Sequence, residues 1–353
     1  MTESARPRSD GDGTTLRRDV PPDARFHVIM SRPPPFGFFA TFRQVLGELW
    51  WCRESGEIPI VFFTRDWVYW SEDKPHGASN AWECFFEPVS EYSVSDLFDE
   101  DLEHLEQCRI LDFDHERILP CPHRRPARFR NGHIRVPPNV TLTNRWPDTL
   151  RGANLDRPDL HHRLHELVNE FIRVRPAILE KVDALYDAHF RGRRVIGVHI
   201  RGGEHNIEIE GWHRMARAPE SLYAREVDAY LRSTADADVF VATDNTKTLE
   251  FFSDRYGDRI ICSDSQRSSS GRAPHCETTG YEIGEEVLID GLLLSRCDFL
   301  VHGISSVPNG ALAFNPDLPR VDVYEKYGRR LRWLLAMKRI AKLKRPLPRR
   351  SEI

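Results

Sequence analysis

The chain has 353 residues, 40% of them hydrophobic and 29% charged, with a net charge of −4. That length carries two domains with their own cores, and the balance excludes a disordered chain and a generally basic nucleic-acid binder. No run approaches the roughly eighteen apolar residues that a membrane-spanning helix needs.

Residues 1–24 are polar and rich in Gly, Pro and Arg, and read as a flexible leader rather than a signal peptide. A strand at 26–30 (FHVIM), a Pro-rich turn, a helix at about 39–54 and a strand at 58–63 (IPIVFF) form a βαβ opening. It begins an N-terminal α/β domain spanning 25–158. Five of the eight tryptophans lie between Trp50 and Trp82. The segment Trp67 to Phe86 supplies either core filling or rings that stack on an acceptor. An Arg- and His-rich stretch at 115–135 is irregular. Residues 159–192 read as one long bridging helix, kinked near Pro176.

Over 193–325 short apolar runs (195–198, 239–242, 260–261, 299–301, 321–323) alternate with helical stretches at about 219–233, 246–256, 281–297 and 307–314. That alternation predicts right-handed crossovers and a parallel sheet. The expected fold is α/β: two Rossmann-like domains facing across a cleft. The tail 326–353 is a separate electrostatic object. It holds eleven Lys and Arg and one acid, Glu352, so it carries +10 and leaves −14 on the first 325 residues. It reads as a helix lying on an anionic membrane surface or packing back on the N-terminal domain. Seven scattered cysteines without CxxC spacing point to a reducing compartment, with the cytoplasm as default, and away from disulfides or structural zinc.

Ligands of open parallel sheets bind beyond the carboxyl ends of the strands. After VIGV come His199 and Arg201; after VFVA come Thr243, Asp244 and Asn245; after FLV come His302, Gly303, Ser305 and Ser306. Arg201 matches phosphate oxygens with a two-pronged donor set, and Gly202 and Gly203 let backbone N–H groups approach an anion. The bland reading is a salt bridge to a loop acid. Ser306 fits the N-cap of a helix whose N-terminus, with Pro308 in its first turn, also suits a phosphate. Asp290 either continues a solvated face with Glu282 and Glu286 or faces the cleft as an acceptor for a purine edge. His199, His205, His213 and Glu204 lack the spacing of a compact metal set, and no P-loop, GxGxxG or GxSxG motif occurs.

With HIRGG, TDN and DGLLLSRCDFLVHGISS in view, the second half resembles the fucosyltransferase superfamily, which includes nodulation, core α-1,6- and protein O-fucosyltransferases. Its motifs, a strand ending in HxR, a TD and a D-x3-LS-x-x-DFLV-x3-SS block, match Gly197–Arg201, Thr243–Asp244 and Asp290–Ser306. More loosely, FGFFATFRQVLG is similar to the family's Gly-rich first loop and helix, marking Gly37, Phe38 and Phe39. The resemblance implies a GT-B-like fold and a metal-independent, inverting transfer from a GDP-sugar, most simply GDP-fucose, with no cofactor. By position, His199 and Asp290 hold guanine, Arg201 and Ser306 the β-phosphate, and Asp244, with Asn245 after it, lies near the nucleoside. The expected partners are that donor and a glycan, peptide or small-molecule acceptor; no nucleic acid is expected. Glu204 is the candidate base, with Glu208 and Glu210 as rivals. The chain departs from the α-1,6 pattern at Gly202, where a second arginine is usual, and at Val307, where the core enzymes have Gln.

Overall fold

The computed structural model describes residues 21, 23–31, 36–64, 67–97, 139–143, 157–202, 209–268 and 280–343. The leader up to residue 20, the 115–135 stretch, Gly203, Glu204, His205, Glu208 and the last ten residues lie outside that set.

The first half is a three-stranded parallel sheet ordered β2-β1-β3, from β1 (Phe26–Met30), β2 (Ile58–Phe62) and β3 (Val140–Thr143). All five residues of β1 are buried, as expected for a central strand covered on both faces. Helix α1 (Phe38–Ser55) makes the β1–β2 crossover and stops where Gly56 takes a left-handed φ of 69°, its N–H donating to the Cys52 carbonyl. A single turn of helix, α2 (Val94–Leu97), follows the aromatic segment.

The expected bridging helix is two helices, α3 (Pro158–Phe171) and α4 (Pro176–His189). Pro176 disfavours helical backbone at the residue before it, and Arg175 is extended at ψ 134°. The break is put to use: the Glu87 N–H donates to the Arg173 carbonyl and the Arg175 N–H to the Phe85 carbonyl, tying the connector to the first half.

The second half is a five-stranded parallel sheet ordered β6-β5-β4-β7-β8. Its strands are β4 (Val195–Ile200), β5 (Asp238–Thr243), β6 (Ile260–Ile261), β7 (Phe299–His302) and β8 (Arg320–Asp322). The intervening helices are α5 (Glu220–Leu231), α6 (Thr246–Tyr256), α7 (Tyr281–Ser295) and α8 (Ser306–Phe314). The chain builds outward from β4 through β5 to β6, then crosses back to β7 and β8. The strand order therefore reverses beside β4, which puts the crevice of the sheet at the carboxyl ends of β4 and β7.

The two halves share a core. Phe38, Phe39, Phe42, Leu46 and Leu49 of α1 pack with Leu288, Leu292, Ala311 and Leu312 of α7 and α8. Phe39 is the knob of this contact: a Cβ at Gly291 or at Gly310 would fall within its ring. The cleft between the two α/β halves is thus closed at its base by a side chain in a hole built from two glycines.

The basic tail begins inside a longer helix, α9 (Val323–Leu343), which leaves β8 directly. Asp322 starts it by accepting from the N–H groups of Tyr324 (2.7 Å) and Glu325 (3.3 Å). Leu331 and Leu335 are buried, and Leu331 clusters with Ile209 and Met215. Among the described residues the helix packs back on the second half of the chain, not on the N-terminal domain. The sequence pattern missed this because the apolar residues that receive it lie in an irregular stretch.

Candidate functional site

A cavity of about 810 Å³, counting its solvent-open mouth, lies where the carboxyl ends of β4, β5 and β7 face the N-terminus of α1. His199, Arg201, Asp244, Asp290, Ser305, Ser306, Gly37, Phe38 and Phe39 all line it. Nine residues singled out from motifs are therefore brought together by the fold. Gly202 and Asn245 do not line it; they hold its wall in place.

That wall is built at two adjacent strand exits. The Gly202 N–H donates to Asp244 Oδ1 at 2.6 Å, tying the turn after β4 to the turn after β5. A Cβ on Gly202 would stand 2.5 Å from Asn245 Cβ and 2.9 Å from Asp244 Oδ1, so the turn has room only for glycine. The Asn245 side chain caps α6, accepting from the Thr248 N–H at 3.1 Å. The departure at Gly202 thus has a local cause: a second arginine there would collide with the residues that position Arg201.

At the β7 exit the cap is Ser305, one residue before the expected Ser306. Its Oγ accepts from the Val307 N–H at 3.4 Å, and its carbonyl accepts from Asn309 Nδ2 at 2.8 Å. The shift leaves Ser306 in the first turn of α8, lining the cavity. Across from it, α1 starts at Gly37 with no side-chain cap and no acid in its first turn. The N-termini of α1 and α8 and Arg201 therefore line one space, a field suited to a diphosphate. The Phe38 and Phe39 rings are buried in the core, so what they present to the cavity is the opening of α1. The Phe38 N–H donates to Tyr69 Oη at 2.9 Å.

Asp290 also lines the cavity. Its residue is 8% exposed, which overturns the reading of a solvated helix face. Oδ1 accepts from Ser263 Oγ at 2.6 Å and Oδ2 from Ser265 Oγ at 3.4 Å. Burial pushes its carboxyl up to about 6, with the two serines and Arg267 opposing. Arg267 clips the turn by donating to the carbonyls of Ser263 (2.7 Å) and Ser265 (2.9 Å). Glu286, one turn earlier on α7, accepts from the Gln266 N–H at 2.8 Å, and burial raises its carboxyl as well. Ser265, Gln266 and Glu286 line the cavity and were not singled out as site residues from sequence; the turn after β6 carries no motif, and only its serine content hinted at hydrogen bonding.

Most of the aromatic segment is core: Trp67, Trp82, Phe85 and Phe86 are buried among one another, and of Trp67–Phe86 Tyr69 reaches the cavity. Of the acids proposed as base, Glu210 is described and pairs with Lys338 at 3.5 Å. Among the described residues no group of three or more His, Cys, Asp or Glu is arranged to hold a metal ion.

Residues 160–321 match the family model of nodulation protein Z, a span that takes in the five-stranded sheet except Asp322, the last residue of β8. Over those residues the chain is similar to the fucosyltransferase superfamily. Nodulation protein Z of Bradyrhizobium diazoefficiens is 30% identical over 136 residues, 37% of this chain and 36% of that protein. That of Sinorhizobium fredii is 26% identical over 137 residues, 37% of this chain and 42% of that protein. The chain spans well under half the length of these curated relatives. A crystal structure of NodZ α-1,6-fucosyltransferase soaked with GDP-fucose superposes with a TM-score of 0.50 over 83% of this chain and 93% of that one, at 18% identity. At that identity the likeness establishes the superfamily fold: two parallel α/β halves, GT-B-like, as the motifs implied.

Proposed function

We propose that this chain is a glycosyltransferase that moves fucose from GDP-fucose to an acceptor hydroxyl, without a metal and with inversion at the anomeric carbon. One observation carries the reading: Arg201, the N-termini of two helices and the buried Asp290 line one cavity. Those are the groups that a purine diphosphate needs. The NodZ relatives, one of them soaked with GDP-fucose and described as an α-1,6-fucosyltransferase, support guanine and fucose as the particular base and sugar. The scattered cysteines, free where they fall among the described residues, support a cytoplasmic site of action.

In this reading Asp290 accepts the N1–H and exocyclic N–H of guanine, and His199 lies beside the base. The diphosphate rests between Arg201, Ser306 and the opening turns of α8 and α1. The acceptor oxygen attacks the anomeric carbon from the face opposite GDP. The bond from that carbon to the β-phosphate oxygen breaks, and GDP departs with the electron pair. Positive character grows on the sugar and negative charge on the leaving phosphate. Arg201 and the helix N-termini are oriented before the reaction starts, so they stabilise that charge without reorganising. Glu204, three residues beyond Arg201, takes the acceptor proton. The Gly202–Asp244 hydrogen bond and the Asn245 cap keep the Arg201 turn in register during this step.

A second reading, a chain that binds the GDP-sugar without transferring it, draws on Gly202 replacing the second arginine of α-1,6 enzymes. One experiment tests both: thermal shift with GDP, UDP and ADP, with and without EDTA, followed by product analysis with GDP-fucose and water or model acceptors. Stabilisation by GDP that survives EDTA, with release of GDP from GDP-fucose, is the expected result. Stabilisation without release would favour the second reading, and indifference to GDP would remove both.

A further inference from the structure

Helix α9 has two faces of opposite character. On the inner face Leu331 and Leu335 are buried, the Ala216 N–H donates to the Leu331 carbonyl at 3.1 Å, and Lys338 pairs with Glu210. This face is already occupied by the chain's own residues 209–216. On the outer face Trp333, Met337 and Ile340 are 60%, 45% and 45% exposed. Among the described residues these are the large hydrophobic side chains left exposed, and all three stand on one stripe at i, i+4, i+7 of one helix. Arg329, Arg330, Arg332 and Arg339 are exposed on the same helix, which has no acid after Glu325. Four more cations follow between 344 and 350.

Charge alone would suit any polyanion, but it leaves the apolar stripe in water. An apolar partner alone would leave the arginines crowded without counter-charge. A surface that is anionic at its rim and apolar just beneath satisfies both, and a tryptophan is well suited to that boundary. We propose that the outer face of α9 seats the protein on an anionic lipid surface, with Trp333, Met337 and Ile340 entering the headgroup boundary and the flanking arginines on lipid phosphates. The rest of the chain, at −14, faces away from the same negative surface, which orients the molecule with α9 downward.

The test is co-sedimentation of the full chain with vesicles of phosphatidylcholine alone or mixed with phosphatidylglycerol, at low and high salt. The protein is expected to sediment with the mixed vesicles, to stay in solution with the neutral ones, and to be released by salt. The triple variant W333S/M337S/I340S should bind about tenfold more weakly or worse, as lost anchoring side chains dictate. R329Q/R330Q/R339Q should lose binding too. All six positions are exposed, so the melting temperature of both variants should match the parent. A parent chain that ignores mixed vesicles at low salt would overturn the proposal. So would a triple serine variant that binds as the parent does, because bare cations would then account for the binding.

Discussion

In the ligand-free chain the Asp290 carboxyl is buried and pushed up from 3.8 to about 6, and Asp290→Asn removes its ionisation while keeping its shape. Below pH 4 the acid is protonated both folded and unfolded, and it contributes nothing that depends on pH. As pH rises through the window from about 4 to 6, the unfolded chain releases its proton first, so the parent loses stability over that interval. A displacement of roughly two units at 1.36 kcal/mol each amounts to about 3 kcal/mol by pH 8. The asparagine variant escapes that loss. Its amide can still pair with Ser263 and Ser265, because hydroxyls turn to donate or accept. Ligand-free Asp290→Asn is therefore expected to match the parent near pH 4 and to exceed it by up to about 3 kcal/mol at pH 8, on the same scale. Urea midpoints at the two pH values, with unchanged slope, read this directly. In the same preparation GDP affinity at pH 8 should fall by roughly ten- to a hundredfold, since hydrogen bonds to a charged acceptor contribute about 1.5–3 kcal/mol. GDP affinity of the parent should also weaken as pH drops through about 6. A variant no more stable than the parent at pH 8, or a difference that does not change with pH, would refute the reasoning.

Four further substitutions probe other parts of the site. Arg201→Ala should leave the melting temperature in place and lower turnover of GDP-fucose by about a hundredfold or more, as for removal of one preorganised donor; near-normal turnover would sink the phosphate assignment. Gly202→Ala forces a Cβ to 2.5 Å from Asn245 Cβ. It should cost about 1–3 kcal/mol in denaturant melts, with weaker GDP binding, and a neutral result would mean the turn is not sterically fixed. Phe39→Ala empties the hole between Gly291 and Gly310 and should destabilise by about 3–5 kcal/mol, with a ligand-free protein that binds GDP less tightly; a loss under about 1 kcal/mol would show the halves are held otherwise. Glu204→Gln should keep GDP binding and slow transfer to an acceptor by about a hundredfold, within the range for general bases, and wild-type rates would remove Glu204 from the role.

What could be read in the sequence and what could not divide along a physical line. The second sheet was legible because each strand is a short apolar run separated by a helix-length polar stretch, and because parallel sheets put ligands at strand exits. That rule alone picked out His199, Arg201, Asp244, Ser305 and Ser306. Asp290 could not be decided by pattern: a spacing of four from Glu286 is equally that of a solvated face, and only the turn that folds Ser263 and Ser265 over it makes it a buried acceptor. The glycines show the same limit. Gly202 looked like a loss against the α-1,6 pattern, whereas its turn is a close packing of two strand exits in which any side chain collides. Gly291 and Gly310 look like weak points in helices, yet they form the socket for Phe39. A glycine's meaning lies in what approaches it from elsewhere in the chain, and one-dimensional spacing carries no record of that approach. The same holds for α9: heptad-like spacing shows an apolar stripe, but there are two stripes. Contact with residues 209–216 settles which of them is spent on the fold, and Trp333, Met337 and Ile340 are the ones left over.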